Sequence, residues 1–163
     1  TNINMFDIAT ESLLFDLYYG GKSASESLAD GDKTPVEETT PPVDETTPVF
    51  KDIYVKNLIS RNARRAMFFN GLPEMNITNI NIENVTISAT IGAELAESNG
   101  INFKNIKIYP KQGPALMLKN VENFTLTGFE YPNSLKDVVS IAGNNRNITL
   151  PQSLSKSKII EQK

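Results

Sequence analysis

The chain contains no cysteine and no histidine. The first absence removes disulfides, zinc–thiolate centres and thiol nucleophiles, and leaves the redox compartment open. The second removes Ser–His and Cys–His relays, an imidazole base and imidazole metal ligands. Long apolar runs are missing as well: nothing approaches the ~20 residues a membrane helix needs, so no membrane span is expected. There is no basic excess, with 16 Lys and Arg against 19 Asp and Glu and a formal charge of −3. Phosphate backbones therefore find little to favour, which argues against a nucleic-acid partner. The opening TNINMFDI has neither an initiator Met nor the basic and apolar regions of a signal peptide. It starts inside a strand-like pattern, as a piece of something longer would.

What is present is 163 residues, 39% of them hydrophobic, enough for one domain with a continuous core. The stretch MNITNINIENVTIS, residues 75–88, sets Ile77, Ile80, Ile82, Val85 and Ile87 among Asn, Thr and Glu. Such alternation is what a strand buried on one face requires. The pattern belongs to a repeat, Asn/Asp–apolar–x–apolar, beginning at Asn2, Asp52, Asn79, Asn105, Asn123 and Asn147. Between first apolar positions the steps are 50 from Ile3 to Ile53, 27 to Ile80, 26 to Ile106, 18 to Phe124 and 24 to Ile148. A second apolar strand follows at 13–17, 65–69, 92–95, 115–118 and 138–141.

Short strands at this period predict an all-β fold, a parallel β-solenoid of about six coils stacked ~4.8 Å apart. A β-sandwich with similar strand spacing is the alternative. Asp7, Asn57 and Asn84 each fall four residues after the first apolar position. A polar residue there can take the left-handed backbone of a corner and bond its counterpart in the next coil. Pro110 and Gly128 at the later equivalent positions predict that this ladder stops after three rungs. The coils are assigned to 1–152 and a polar tail to 153–163. Residues 20–48, with Pro35, Pro41, Pro42 and Pro48 and many acids, form a long loop insertion. It is either a solvated spacer or the rim of a cleft. Only 20–33 and the tail hold plausible, short helical pieces.

Candidate chemistry is sparse. Glycosidic hydrolysis needs two facing carboxyl groups, and only Asp7 and Asp52 lie near stacked strand ends, so no catalytic residue is assigned. Asp30-Gly31-Asp32 lacks the further ligands of a calcium loop, and no metal ligand is assigned. Arg61, Arg64 and Arg65 in SRNARRAMFF make one basic cluster, either a solvated turn or a set of Arg forks for an anionic polymer. Tyr18 and Tyr19 end a strand where the insertion begins, a place for an aromatic rim with a polar tip. Asn76, Asn84, Asn123 and Asn147 open Asn-x-Thr triplets, which a repeat rich in Asn and Thr produces without any glycosylation.

Three stretches carry a resemblance: NINMFDIATESLLFDLYYG, TTPVFKDIYVKNL and GLPEMNITNINIENVTISA. From about Asn2 to about Phe129 the chain resembles the C-terminal coils of glycoside hydrolase family 28, the polygalacturonases, bacterial members above all. The resemblance implies a right-handed single-stranded parallel β-helix belonging to an inverting hydrolase of pectin α-1,4-galacturonosyl links. It further implies a secreted or periplasmic location and no cofactor. The family's NTD, adjacent Asp pair, GHG and RIK signatures are absent, so they are expected upstream and this chain alone is expected to be inactive. One family feature carries over, a Tyr that contacts the substrate sugar, at Tyr19 with Tyr18 as its neighbour. The competing expectation is a non-catalytic carbohydrate-binding or assembly module that self-associates through the open edge at Ile3 and Met5.

Overall fold

The computed structural model describes residues 2–18, 43–45 and 47–162. The strands are β1 (Ile3–Phe6), β2 (Glu11–Asp16), β3 (Lys51–Asn70), β4 (Ile77–Glu130), β5 (Val139–Ala142), β6 (Arg146–Thr149) and β7 (Ile159–Gln162). The one helical piece among the described residues is a 3-10 turn at Lys156–Lys158, in the tail. Every strand pairing is parallel, in the order β1-β3-β4-β5-β7, with β2 also on β3 and β6 on β4. The molecule is thus an all-β parallel sheet of seven strands. The insertion 20–48 lies almost wholly outside the described residues.

At 54 residues, β4 would run roughly 180 Å if it were straight. It is bent instead at residues with positive φ, among them Asn79, Asn84, Gly100, Asn105, Asn120, Asn123 and Gly128. An L-residue in this region meets its own carbonyl, a clash that Asn tolerates and Gly escapes. Each bend returns the chain beside an earlier pass. Ile53 pairs with Ile80 and Phe69 with Leu95, the offset dropping by one residue at an irregularity between Ser60 and Ala63.

The bends are tied together by side-chain amides. Asn57 donates from Nδ2 to Asn2 Oδ1 at 3.0 Å, Asn84 to Asn57 at 3.1 Å and Asn105 to Asn84 at 3.0 Å. Gly128 ends this ladder, since a Cβ there would lie 2.7 Å from Asn105 Oδ1. A second ladder joins Asn79 to Asp52 at 2.6 Å, and a third joins Asn62 to Asp7 at 2.6 Å. Farther along, Asn123 donates to Asn99 and Asn147 to Asn123, both at 2.9 Å.

The expected column needs three corrections. Asp7 is not in the Asn57–Asn84 ladder but turns a separate corner with Asn62. Asn2 and Asn105 supply the missing rungs, so the ladder has four, and Pro110 takes no place in it. Ile3 pairs with Leu58 rather than Ile53, and Ile106 follows Asn105 as Val85 follows Asn84, which moves it out of the Ile53–Ile80 column. The cause is local. Each pass carries two near-identical units five residues apart, at Asp52 and Asn57 and again at Asn79 and Asn84. Only the pairing between passes distinguishes them.

The inward positions make one core. Ile80, Ile82, Val85, Ile87, Leu95, Ile106 and Ile108 are essentially inaccessible. Aromatic rings run through it from Phe15 to Phe69 at 4.8 Å, Phe103 at 6.2 Å and Phe124 at 5.4 Å. Such edge and tilted contacts add to area burial. Leu154 packs on the far end, and β7 pairs with β5, so the segment after Ser153 supplies a strand as well as a polar tail. At the other end β1 and β2 pair only with β3, leaving an open edge among the described residues.

Two substitutions test this account through urea midpoints. Asn84→Gly keeps the left-handed bend but drops two exposed ladder bonds, a loss of about 1–2 kcal/mol, and Asn84→Ala should cost about 1 kcal/mol more. Phe103→Ala should cost about 3–5 kcal/mol by opening a cavity. Equal stability of Asn84→Ala and the parent would remove the ladder from the account.

Candidate functional site

Two of the three arginines meet a carboxylate where β2 begins. Glu11 is the register partner of Arg65. Its Oε1 lies 3.9 Å from Arg64 Nη1 and 3.9 Å from Arg65 Nε, while Arg65 Nη1 reaches Glu94 Oε2 at 3.6 Å. The Arg65 guanidinium also sits 4.2 Å from the centroid of the Phe68 ring, a cation–π contact. Arg65 Nε is buried with no hydrogen-bond partner, because 3.9 Å is too long for one. Arg64 projects into solvent. A hydrolytic carboxyl pair needs open space for water and a glycosidic oxygen; here a guanidinium fills the space between Glu11 and Glu94.

The other predicted residues lie elsewhere. Arg61 pairs in register with the exposed Phe6 and is separated from Arg64 by the Asn62 corner. Tyr18 is partly buried beyond the end of β2, its backbone N–H donating to Asp16 Oδ1 at 3.0 Å. Seven extended residues from Glu11, it stands roughly 20 Å from the arginine pair. Tyr19 lies outside the described residues. The structure therefore brings together Arg64 and Arg65 with Glu11, and sets Arg61 and Tyr18 apart from them. All four Asn-x-Thr amides are engaged: Asn76 Nδ2 donates to the Leu72 carbonyl at 3.1 Å, and Asn84, Asn123 and Asn147 are ladder rungs. No group of three acids able to hold a metal occurs among the described residues.

Two surface clefts flank the main Asn ladder. The first, about 450 Å³, is lined by Asn4, Ile59, Thr86 and Lys107 together with the four ladder amides. At its margin Lys107 Nζ lies 2.7 Å from Glu130 Oε2, and the Tyr109 hydroxyl donates to the same carboxylate. Glu130 raises the pKa of both Lys107 and Tyr109 through these bonds, and they lower its own.

The second cleft, about 240 Å³, lies on the other side of the ladder and includes Tyr54, Asn81 and Asn102. Tyr54 pairs in register with Asn81 and Lys56 with Glu83. Glu83 bridges two passes, 3.1 Å from Lys56 Nζ and 3.3 Å from Lys104 Nζ. Hydrogen bonds from Lys56 and then Lys104 hold its carboxyl below the usual range. Sequence reasoning missed this group. The signal was the outward position in each strand, but stacking Tyr54 on Asn81 and Lys56 on Glu83 requires the inter-pass register.

Comparisons with family models, with curated proteins and with solved structures give no match for this chain.

The Glu83 bridge predicts a pH and salt dependence. A carboxyl held low in the folded state adds stability above its unfolded pKa and loses it as pH falls through the folded one. The difference in urea midpoint between the parent and Glu83→Gln should accordingly be present near neutrality, vanish in acid, and shrink with added salt because the group is exposed. A difference that persists unchanged in acid would show that the ion pairs are not its source.

Proposed function

We propose that the chain is a right-handed parallel β-helix of about six coils, the part of a polygalacturonase-like, pectin-acting protein that extends the solenoid and supplies sugar-contacting surface rather than catalytic acids. The observation that carries the reading is the repeated parallel register with amide-tied corners and inward apolar columns. Right-handedness follows from the strong preference of parallel crossover connections for that hand. The exposed Arg64 suits a galacturonate carboxylate, because guanidinium groups bind carboxylates through paired N–H donors. The Arg65 position between Glu11 and Glu94 supports a binding role over a hydrolytic one. Bond cleavage, in this reading, is done by acids outside the chain, and the protein works in the secreted or periplasmic space without a cofactor.

A second reading, an assembly module, draws on the open edge of β1 and on Phe6, 68% exposed at its end. Unpaired edge strands invite another chain.

Purified chain incubated with polygalacturonate should release no reducing ends yet bind oligogalacturonates in calorimetry. Release of reducing ends would overturn the division of labour, and absence of binding would overturn the sugar-contacting role. For the second reading, sedimentation should detect dimers that Phe6→Lys abolishes; a monomeric parent chain rules it out.

A further inference from the structure

Tyr54 is the most exposed large hydrophobic side chain of the described residues, at 77%. Two bends, at Asn57 and Asn62, separate it along the chain from the arginine pair, and it has no place in the hydrophobic core. Around it the parallel register gathers amide and ammonium groups. Asn81 is its partner in the next pass, and Asn102 lines the same depression one pass farther on. Lys56 and Lys104 border it, tied to one carboxylate, Glu83. Two ammonium groups against one carboxylate leave a local positive balance on a chain whose overall formal charge is −3. Each ammonium has three N–H donors, and the Glu83 contact leaves others for a ligand.

We infer that the Tyr54 depression is a second carbohydrate-binding site, one that takes an acidic sugar unit of an extended glycan. The sugar ring lies on the Tyr54 face, its carboxylate meets Lys56, and its hydroxyls bond the Asn81 amide, with Asn102 and Lys104 meeting the next unit of the glycan. A flat ring with apolar C–H groups on one side and hydroxyls at its rim needs an aromatic platform bordered by amides. The carboxylate adds the demand for cations. Successive passes repeat at the strand spacing of ~4.8 Å, so an extended chain along the stacking direction meets Tyr54, Asn81 and Asn102 in turn. Ion-pairing with Glu83 fixes the lysines beside the platform, which reduces the side-chain ordering that binding costs. The inference deepens the pectin reading by giving the polymer a holding site away from the arginines, and rests on that reading for galacturonate as the sugar.

Calorimetry of the full chain with oligogalacturonates, oligomannuronates and neutral xylo-oligosaccharides tests it. Tyr54→Ala should weaken oligogalacturonate binding about tenfold, the scale of one stacked ring. Tyr54→Phe should retain binding, and Lys56→Gln with Lys104→Gln should weaken it and flatten its salt dependence. Because Tyr54 is exposed, urea midpoints should not move, which separates lost binding from lost folding. Oligogalacturonate binding that is indifferent to Tyr54→Ala overturns the site and leaves the pectin reading standing. Tyr54-dependent binding of oligomannuronates without oligogalacturonates sinks the pectin reading and keeps the site. Equal affinity for xylo-oligosaccharides overturns recognition of the acid, and no binding of any acidic oligomer overturns both.

Discussion

Everything in this molecule depends on a residue that turns the chain in the left-handed region and then hands its side-chain amide to the same position one pass away. Asn57, Asn84 and Asn105 do both. The backbone conformation is costly for most side chains and mild for Asn, and the amide carries both N–H donors and an acceptor oxygen, so each rung can donate to one neighbour and accept from the other. The first rungs at Asp7 and Asp52 are carboxylates, which only accept. Where the column must end, Gly128 takes the same backbone without a side chain. Corners built this way bring Ile80 onto Ile53 and Val85 onto Leu58, and burial of those columns then provides most of the folding free energy.

Parallel stacking in register acts on the outer face as strictly as on the inner one. It sets Glu83 between Lys56 and Lys104 and Glu130 beside Lys107 and Tyr109. These exposed pairs are screened by salt and contribute modestly. Their greater effect is to keep neighbouring passes from placing like charges directly opposite each other, which parallel registry would otherwise enforce. The same registry concentrates ring, amide and ammonium groups at Tyr54, so this face offers ordered, repeating contacts.

The arginine pair and the Tyr54 depression suit recognition better than bond breaking. Arg65 is in contact with Glu11, Glu94 and Phe68, so its guanidinium stands between the two carboxylates. Under the proposed reading these are two contact regions for one acidic polymer, on different faces of the same stack. Arg61 and Tyr18, separated from the pair by a corner and by a strand length, add to the surface without completing a site.

Periodicity alone predicted that the chain is all-β, that its strands recur at roughly 18 to 27 residues, and that Asn57 and Asn84 share a ladder; each depends on spacing along the sequence. The absence of His and Cys likewise limits the available chemistry. Which of two equivalent Asn units stacks on which was decided only in three dimensions, because both satisfy the same local pattern and only the core choosing between Ile53 and Leu58 for Ile3 tells them apart. That choice moved Asp7 and Ile106 to other columns. It also scattered the SRNARRAMFF arginines, since Asn62 inserts a corner within the run. Finally, it assembled Tyr54, Lys56, Glu83 and Lys104, which neighbour one another across passes and not along the chain.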